Sequence, residues 1–141
     1  MTGLTETERT RAFPPLPHET TAKGRPRRTG VEVEFGGLDA EKAAGILQDE
    51  LGGSMHQLGP HEVRIGDSEI GDLEVLLDTA FRDRNAGVLK TAALDMAHAV
   101  VPVEVVSAPL AREEIPRLDA GLGRLREAGA TGTRVGVLLG F

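Results

Sequence analysis

The sequence predicts an α+β fold in which helices pack on one face of an antiparallel or mixed sheet, with the element order β α β β α β α β. Five short segments alternate apolar and polar residues with a period of two, which is typical of strands. Three longer segments repeat apolar residues at helical spacing. The links between the segments are short, and this combination is typical of the α+β class.

The strands are predicted at residues 30–36, 61–65, 72–78, 102–107 and 133–139. The first helix is predicted to start after Asp39, which suits an N-cap, and to end at the Gly52-Gly53 pair. The second helix is predicted at about residues 85–99 and the third at residues 112–128. Pro116 is compatible with the third helix only if it lies in the first turn.

Composition narrows the class of protein. The chain has 141 residues, enough for one domain, and 40 % of them are hydrophobic but only 3 % aromatic, so the core must be aliphatic. There is no Cys, which excludes disulfides and thiolate metal sites and leads us to expect a cytoplasmic protein. No apolar run approaches the ~20 residues of a membrane span, and no signal peptide is apparent, so we expect no membrane partner.

Charge is distributed unevenly along the chain. Residues 1–28 carry six basic and three acidic residues, whereas residues 29–141 carry ten basic and nineteen acidic ones. A body with a net charge of 10 − 19 = −9 argues against nucleic acid as a partner, because such binding depends on neutralising phosphates. It favours cations or cationic metabolites.

The first 28 residues are predicted to be a disordered, basic leader. Four prolines in FPPLPHETTAKGRPRR fix φ and remove backbone donors, which disfavours a helix or a central strand. The alternative is a polyproline II peptide or a basic docking segment.

Carboxylates recur on one face of the predicted strands. Glu32 and Glu34 share a face of the first strand, and Glu104 occupies the equivalent position in VPVEVVSAPL. The strand DLEVLLD places Asp72, Glu74, Leu76 and Asp78 on one face in the same way. If these strands are neighbours, their acids converge and repel each other, and a cation such as Mg²⁺ relieves the repulsion.

The alternative interpretation is a sheet with one hydrated face and no function. Antiparallel sheets commonly alternate apolar and polar residues in this way. Glu is depleted from strands, however, and two consecutive outward positions of the first strand are both Glu. Gly30, Gly36 and Gly37 flank that strand, where backbone can come close to a ligand.

Four segments together resemble one enzyme family. GVEVEFGGL, DLEVLLD, VPVEVVSAPL and LREAGATGTRVGVLLGF occur in an order similar to that of the amidoligase family, and the resemblance covers residues 28–141. This family belongs to the carboxylate–amine ligases that share a catalytic fold with glutamine synthetase and gamma-glutamylcysteine ligase. The resemblance implies an antiparallel sheet curved into an open funnel, with helices on its convex side and with ATP and Mg²⁺ inside.

The resemblance also implies a reaction and its residues. A carboxylate substrate, a small molecule or a peptide, is phosphorylated by ATP, and an amine attacks the acyl phosphate to form an amide. Glu32 and Glu34 match the metal-binding acids of the first strand, and Glu104 a further metal or substrate contact. The resemblance places Asp67, in Asp67-Ser68, at an Asp-x-Ser-like position that is expected to face the substrate. Arg134 is a candidate ligand for phosphate or carboxylate through its forked donors, with a plain surface arginine as the alternative.

The resemblance covers only the N-terminal half of such a ligase, so residues 29–141 are expected to need a C-terminal half for catalysis. The apolar last strand would lie near a sheet edge, which predicts a homo-oligomer or pairing with a C-terminal-half partner. Two other functions stay open. The first is that of a non-catalytic binding or assembly subunit of the same fold. The second is that of an α+β domain that binds basic peptides through its acidic sheet face.

Overall fold

The fold was analysed in a computed structural model that describes residue 5 and residues 14–78 and 102–132. Its five strands are β1 (Glu32–Phe35), β2 (Ser54–Gly59), β3 (Glu62–Ser68), β4 (Gly71–Leu77) and β5 (Val103–Ser107). Its helices are α1 (Ala40–Leu51), a 3-10 turn (Arg112–Glu114) and α2 (Ile115–Glu127). None of the helices described is long and apolar enough to cross a membrane.

The five strands form one antiparallel sheet with the order β1-β5-β4-β3-β2. The predicted α+β class is therefore confirmed, with two α-helices in the residues that the structure describes. β5 is the last described strand in the sequence, yet it lies between β1 and β4. It therefore joins β1, the first strand, to the part of the sheet formed by β4, β3 and β2. The helix predicted at 85–99 and the strand predicted at 133–139 lie outside the described residues.

One strand was missed by the sequence analysis. β2 pairs with β3, yet its sequence, SMHQLG, has no apolar alternation, and most of its residues are exposed. It is the outer strand on that side of the described sheet, where polar residues are tolerated because a single neighbour supplies the pairing. Residues 66–71, which lie between two predicted strands, instead extend β3 and β4 and leave only a two-residue turn at 69–70.

The limits of α1 follow from capping. Asp39 accepts a hydrogen bond from the backbone N–H of Lys42 at 2.7 Å, as predicted for an N-cap. Gly52 ends the helix with φ 73°, a conformation that favours glycine. α1 packs against β3 and β4, and α2 packs against α1.

The core between the sheet and the helices is aliphatic apart from one Phe. The fully buried large side chains are Leu47, Leu51, Val63, Ile65, Leu73, Val75, Val103, Val105, Leu110 and Leu125. Gly121 allows the two helices to approach closely, because a Cβ atom at this position would lie 3.1 Å from Leu47 Cδ2. Pro116 lies in the first turn of α2, as the helix prediction required.

A hydrogen-bonded turn lies within the segment predicted to be a leader. Residues 19–27 form a small hairpin with a bridge between Thr20 and Pro26, and all of its residues are exposed. Disorder stays a prediction for the remaining leader residues.

Candidate functional site

β1 carries two carboxylates on the sheet face that lies opposite the core, called here the open face. Glu32 and Glu34 are exposed, whereas Phe35, on the other side of the strand, is 5 % exposed. The alternation places the apolar residues against the core and leaves both acids outside, as the sequence predicts.

β5 brings a third carboxylate to the same face. In the antiparallel register, Glu34 lies opposite Glu104, and Glu32 lies opposite Val106. Residues directly opposite in such a pair have Cβ atoms about 4.5–5.5 Å apart. Glu104 is half-buried, because its strand is flanked by β1 on one side and by β4 on the other. The structure therefore brings together the three glutamates that the sequence analysis proposed as ligands.

These acids repel each other. Partial burial raises the pKa of the Glu104 carboxyl, and the negative charges of Glu32, Asp78 and Glu34 raise it further. A hydrogen bond between the carboxyl groups of Glu104 and Glu32 contributes in the same direction. Because these negative charges lie close together, the cluster favours binding a positive charge.

Asp78 was not proposed as a site residue, although the alternation of DLEVLLD placed it on the acidic face. It follows β4 and is 7 % exposed, and its backbone N–H donates to Pro102 O at 2.9 Å. Its charge acts on Glu104. The sequence feature that could have identified Asp78 is its position two residues after Leu76, which shares a face with Glu74. That signal became informative only once β4 was known to adjoin β5.

The acidic side chains near Glu104 do not form a closed metal-binding site in the described part of the chain. Within residues 14–78 and 102–132, no three acidic or histidine side chains are arranged to hold one metal ion. Mg²⁺ is often held by only one or two protein carboxylates, with water and substrate phosphates as the remaining ligands. The donors available here are oxygen atoms, which suit that ion.

Asp67 lies elsewhere on the sheet. Its backbone adopts φ 55°, and its N–H donates to Asp72 Oδ1 at 3.1 Å. Asp72 also accepts a short hydrogen bond from Arg64, and this contact and the Asp67 N–H lower the pKa of Asp72. β4 and β5 separate Asp67, on β3, from β1, so the structure does not bring Asp67 to the glutamate cluster. Arg134 lies outside the described residues.

Comparison with known proteins supports one family. The model of the family described as "putative amidoligase enzyme" matches residues 25–141, which include the sheet, both helices and the glutamate cluster. Comparisons with curated proteins and with solved structures gave no match. Since the match spans most of the chain, this protein belongs to the putative amidoligase family.

Proposed function

We propose that this protein takes part in ATP- and Mg²⁺-dependent formation of an amide bond between a carboxylate and an amine, on a fold of the glutamine synthetase type. The open face of the sheet is the proposed site. The observation that carries the proposal is the placement of Glu34 opposite Glu104, with Glu32 on the same face. Family membership supports ligase chemistry.

The donor set fits Mg²⁺. Glu32 and Glu34 are exposed and can reach an ion above the sheet, and Glu104 lies between them and β4. Three carboxylates within one region of a sheet repel each other, and burial together with this repulsion raises the pKa of Glu104. When bound, the metal supplies charge neutralisation for the phosphates of ATP.

The proposed reaction has two steps. An oxygen of the substrate carboxylate attacks the γ-phosphorus of ATP, the bond from that phosphorus to the bridging oxygen breaks, and ADP leaves. The nitrogen lone pair of the amine then attacks the acyl carbon, inorganic phosphate leaves with the electrons of the C–O bond, and the amine releases a proton to solvent. Phosphoryl transfer depends mainly on positioning and charge neutralisation, so the role of the glutamates is to place these groups.

Thermal unfolding of the full chain tests the site. Mg²⁺ together with a non-hydrolysable ATP analogue is expected to stabilise the wild-type protein. A ligand that binds only the folded state, at about 100 times its Kd, adds about 2.7 kcal/mol, which raises the Tm by several degrees. The variant with Glu32→Gln and Glu34→Gln is expected to lose this shift.

A matched control removes two charges elsewhere. Glu113 lies in the 3-10 turn and Glu127 at the end of α2, and both are exposed, so Glu113→Gln with Glu127→Gln is expected to keep the nucleotide-dependent shift. Equal responses of wild type and both variants would contradict the proposed site.

Nucleotide binding without turnover, measured as ADP and phosphate release with mixed carboxylates and amines, would identify a non-catalytic member of the fold. Stabilisation by a lysine-rich peptide but not by nucleotide would favour the basic-peptide function.

A further inference from the structure

Residues 19–28 form a distinct exposed structure that we call the basic hairpin. The N–H of Gly24 donates to Thr21 O at 2.9 Å, and the N–H of Thr21 donates to Arg25 O at 2.8 Å. Gly24 adopts φ 70°, a value that favours glycine and that completes a three-residue hairpin loop. The N–H of Arg27 closes the hairpin on Glu19 O at 2.9 Å.

The hairpin concentrates positive charge. Four of its ten residues are basic and one is acidic; the basic ones are Lys23, Arg25, Arg27 and Arg28. Arg28 forms an ion pair with Glu114 at 3.4 Å. Arg27 uses its Nε to donate to Thr20 O at 3.0 Å. In the part of the chain that the structure describes, the side chains of Lys23, Arg25 and Arg27 form no ion pair.

Four arginines of the described strands and helices differ in this respect. Arg64 is paired with Asp72 and Arg117 with Glu50 and Glu69. On α2, Arg124 and Arg126 are paired with carboxylates as well. Unlike these four, three basic residues of the hairpin carry positive charge that no carboxylate of the described residues neutralises.

The hairpin is anchored beside the start of β1. Arg28 donates through Nη1 to Pro109 O at 3.3 Å, and Thr29 exchanges two backbone hydrogen bonds of 2.9 Å with Leu110. From Arg28 the extended chain reaches Glu32 in four residues, a distance of at most about 13 Å at the rise of a β-strand. The Arg28 end of the basic hairpin thus lies near the start of β1, where the acidic cluster begins.

We propose that the basic hairpin binds an anionic group of a substrate, a carboxylate or a phosphate, beside the acidic cluster of the open face. Lys23, Arg25 and Arg27 are the contact residues. The nucleotide and the carboxylate react with each other in the first step of the proposed ligase reaction. Both are anions, and an acidic surface repels them. A cationic arm next to that surface offsets the repulsion and raises the local concentration of anions. The proposal rests on the proposed function only in naming the anion as a substrate group.

Anion binding by the full chain, measured by isothermal titration calorimetry without Mg²⁺, tests the proposal. The probes are tripolyphosphate, as a source of phosphate, and triglutamate, as a source of carboxylates. The test variant carries Lys23→Gln, Arg25→Gln and Arg27→Gln, and the matched control carries Lys42→Gln, Arg124→Gln and Arg126→Gln, with the same change in net charge. We expect the test variant to bind at least one of the two probes about tenfold more weakly than wild type, and the control to bind as wild type, at about 50 mM salt.

Three results would overturn the proposal. Equal affinities of the test variant and wild type for both probes would show that the hairpin is not the binding surface. Equal weakening in both triple variants would show only an effect of net charge. A DNA duplex that binds the hairpin about tenfold more tightly than either probe would make nucleic acid the partner and would overturn the assignment to a substrate group. Thermal unfolding of the test variant checks that it is folded.

The outcome can be separated from that of the proposed function. The variant with Glu32→Gln and Glu34→Gln is expected to bind both probes at least as tightly as wild type, because it lacks two repelling charges near the hairpin. Anion binding that persists while wild type gives no stabilisation by Mg²⁺ and nucleotide would contradict the proposed function and leave the hairpin as an anion-binding surface. Stabilisation of wild type by Mg²⁺ and nucleotide, together with equal anion binding by the test variant and wild type, would contradict only the proposed role of the hairpin.

Discussion

Glu34 and Glu104 lie opposite each other in the antiparallel pairing of β1 with β5, with their side chains on the same open face. Like charges in directly opposite positions destabilise a sheet, so this pair lowers the stability of the protein when both groups are ionised. A cation between them removes that cost.

Replacing Glu34 by Lys should raise stability and abolish the response to nucleotide. The change converts a repulsive cross-strand pair into an attractive one, and we expect the free energy of unfolding to rise by about 0.5–1 kcal/mol at low salt. Stabilisation by Mg²⁺ and nucleotide should be lost, because a cationic side chain occupies the place of the metal. Urea denaturation with and without ligand measures both effects.

The control for that variant is Glu62→Lys. Glu62 lies on the same face but opposite Leu76 of β4, so its replacement removes no cross-strand repulsion. We expect a change within about 0.5 kcal/mol and a normal nucleotide response. A Glu34→Lys variant that kept the nucleotide response would contradict the assignment of Glu34 to the site.

Glu104 should make stability depend on pH in a defined direction. Its pKa is raised in the folded state by burial and by neighbouring acids. The unfolded value is about 4.3. The protonated group therefore contributes stability that is fully present below the unfolded pKa and is lost as the pH rises through the folded pKa. Glu104→Gln removes this loss, so the variant should be more stable than wild type at pH 7, by about 0.5 kcal/mol.

Urea midpoints of both proteins between about pH 4 and pH 8 check the prediction. The difference between them should grow with pH, because titrating groups outside the acidic cluster contribute equally to both proteins and cancel. A difference that did not change with pH would show that Glu104 has the same pKa in the folded and unfolded states.

Arg117 should be important for the stability of the helical layer. Its guanidinium donates to Glu50 Oε1 at 2.8 Å and to the Glu50 carbonyl at 2.6 Å, and it also pairs with Glu69 at 2.7 Å. Arg117→Met keeps the apolar stem but removes these bonds, and we expect a loss of about 1–2 kcal/mol in unfolding free energy. The matched variant Arg124→Met removes an exposed arginine with weaker pairs and should cost under about 0.5 kcal/mol.

The contact between Arg117 and Glu69 should also make the stability of the protein depend on pH. The hydrogen bond from Arg117 lowers the pKa of Glu69. The contribution of Glu69 is therefore present above its unfolded pKa and is lost as the pH falls through the folded value. The difference in urea midpoint between wild type and Arg117→Met should thus shrink in acid. A constant difference would show that the Glu69 pair adds nothing to stability.

Two glycines on the helices should respond in opposite ways to a larger side chain. A Cβ atom at Gly45 of α1 would meet nothing within 4 Å, so Gly45→Ala should stabilise the protein by up to about 1 kcal/mol through helix propensity. A Cβ atom at Gly121 would lie 3.1 Å and 3.3 Å from atoms of Leu47 and Leu51. Gly121→Val should therefore destabilise it by about 1–3 kcal/mol. Thermal unfolding of both variants gives the signs, and a stable Gly121→Val variant would contradict the close packing of α1 and α2.

Much of the fold was predictable because it depends on local periodicity. The alternation in β1 and β5 placed Glu32, Glu34 and Glu104 on the face away from the core, and Asp39 and the glycine pair after Leu51 located the ends of α1. β2 was not predictable, since its polar sequence becomes a strand only through pairing with β3.

The sequence by itself determined which side of its own strand each carboxylate occupies, because side chains alternate with a period of two whatever the neighbouring strands are. Only the tertiary structure decided which acids meet. The order β1-β5-β4-β3-β2 sets Glu34 against Glu104, adds the charge of Asp78 to that cluster and leaves Asp67 with Arg64 and Asp72. Strand order and register arise from contacts between residues far apart in the chain, and the spacing of residues within one segment does not specify them.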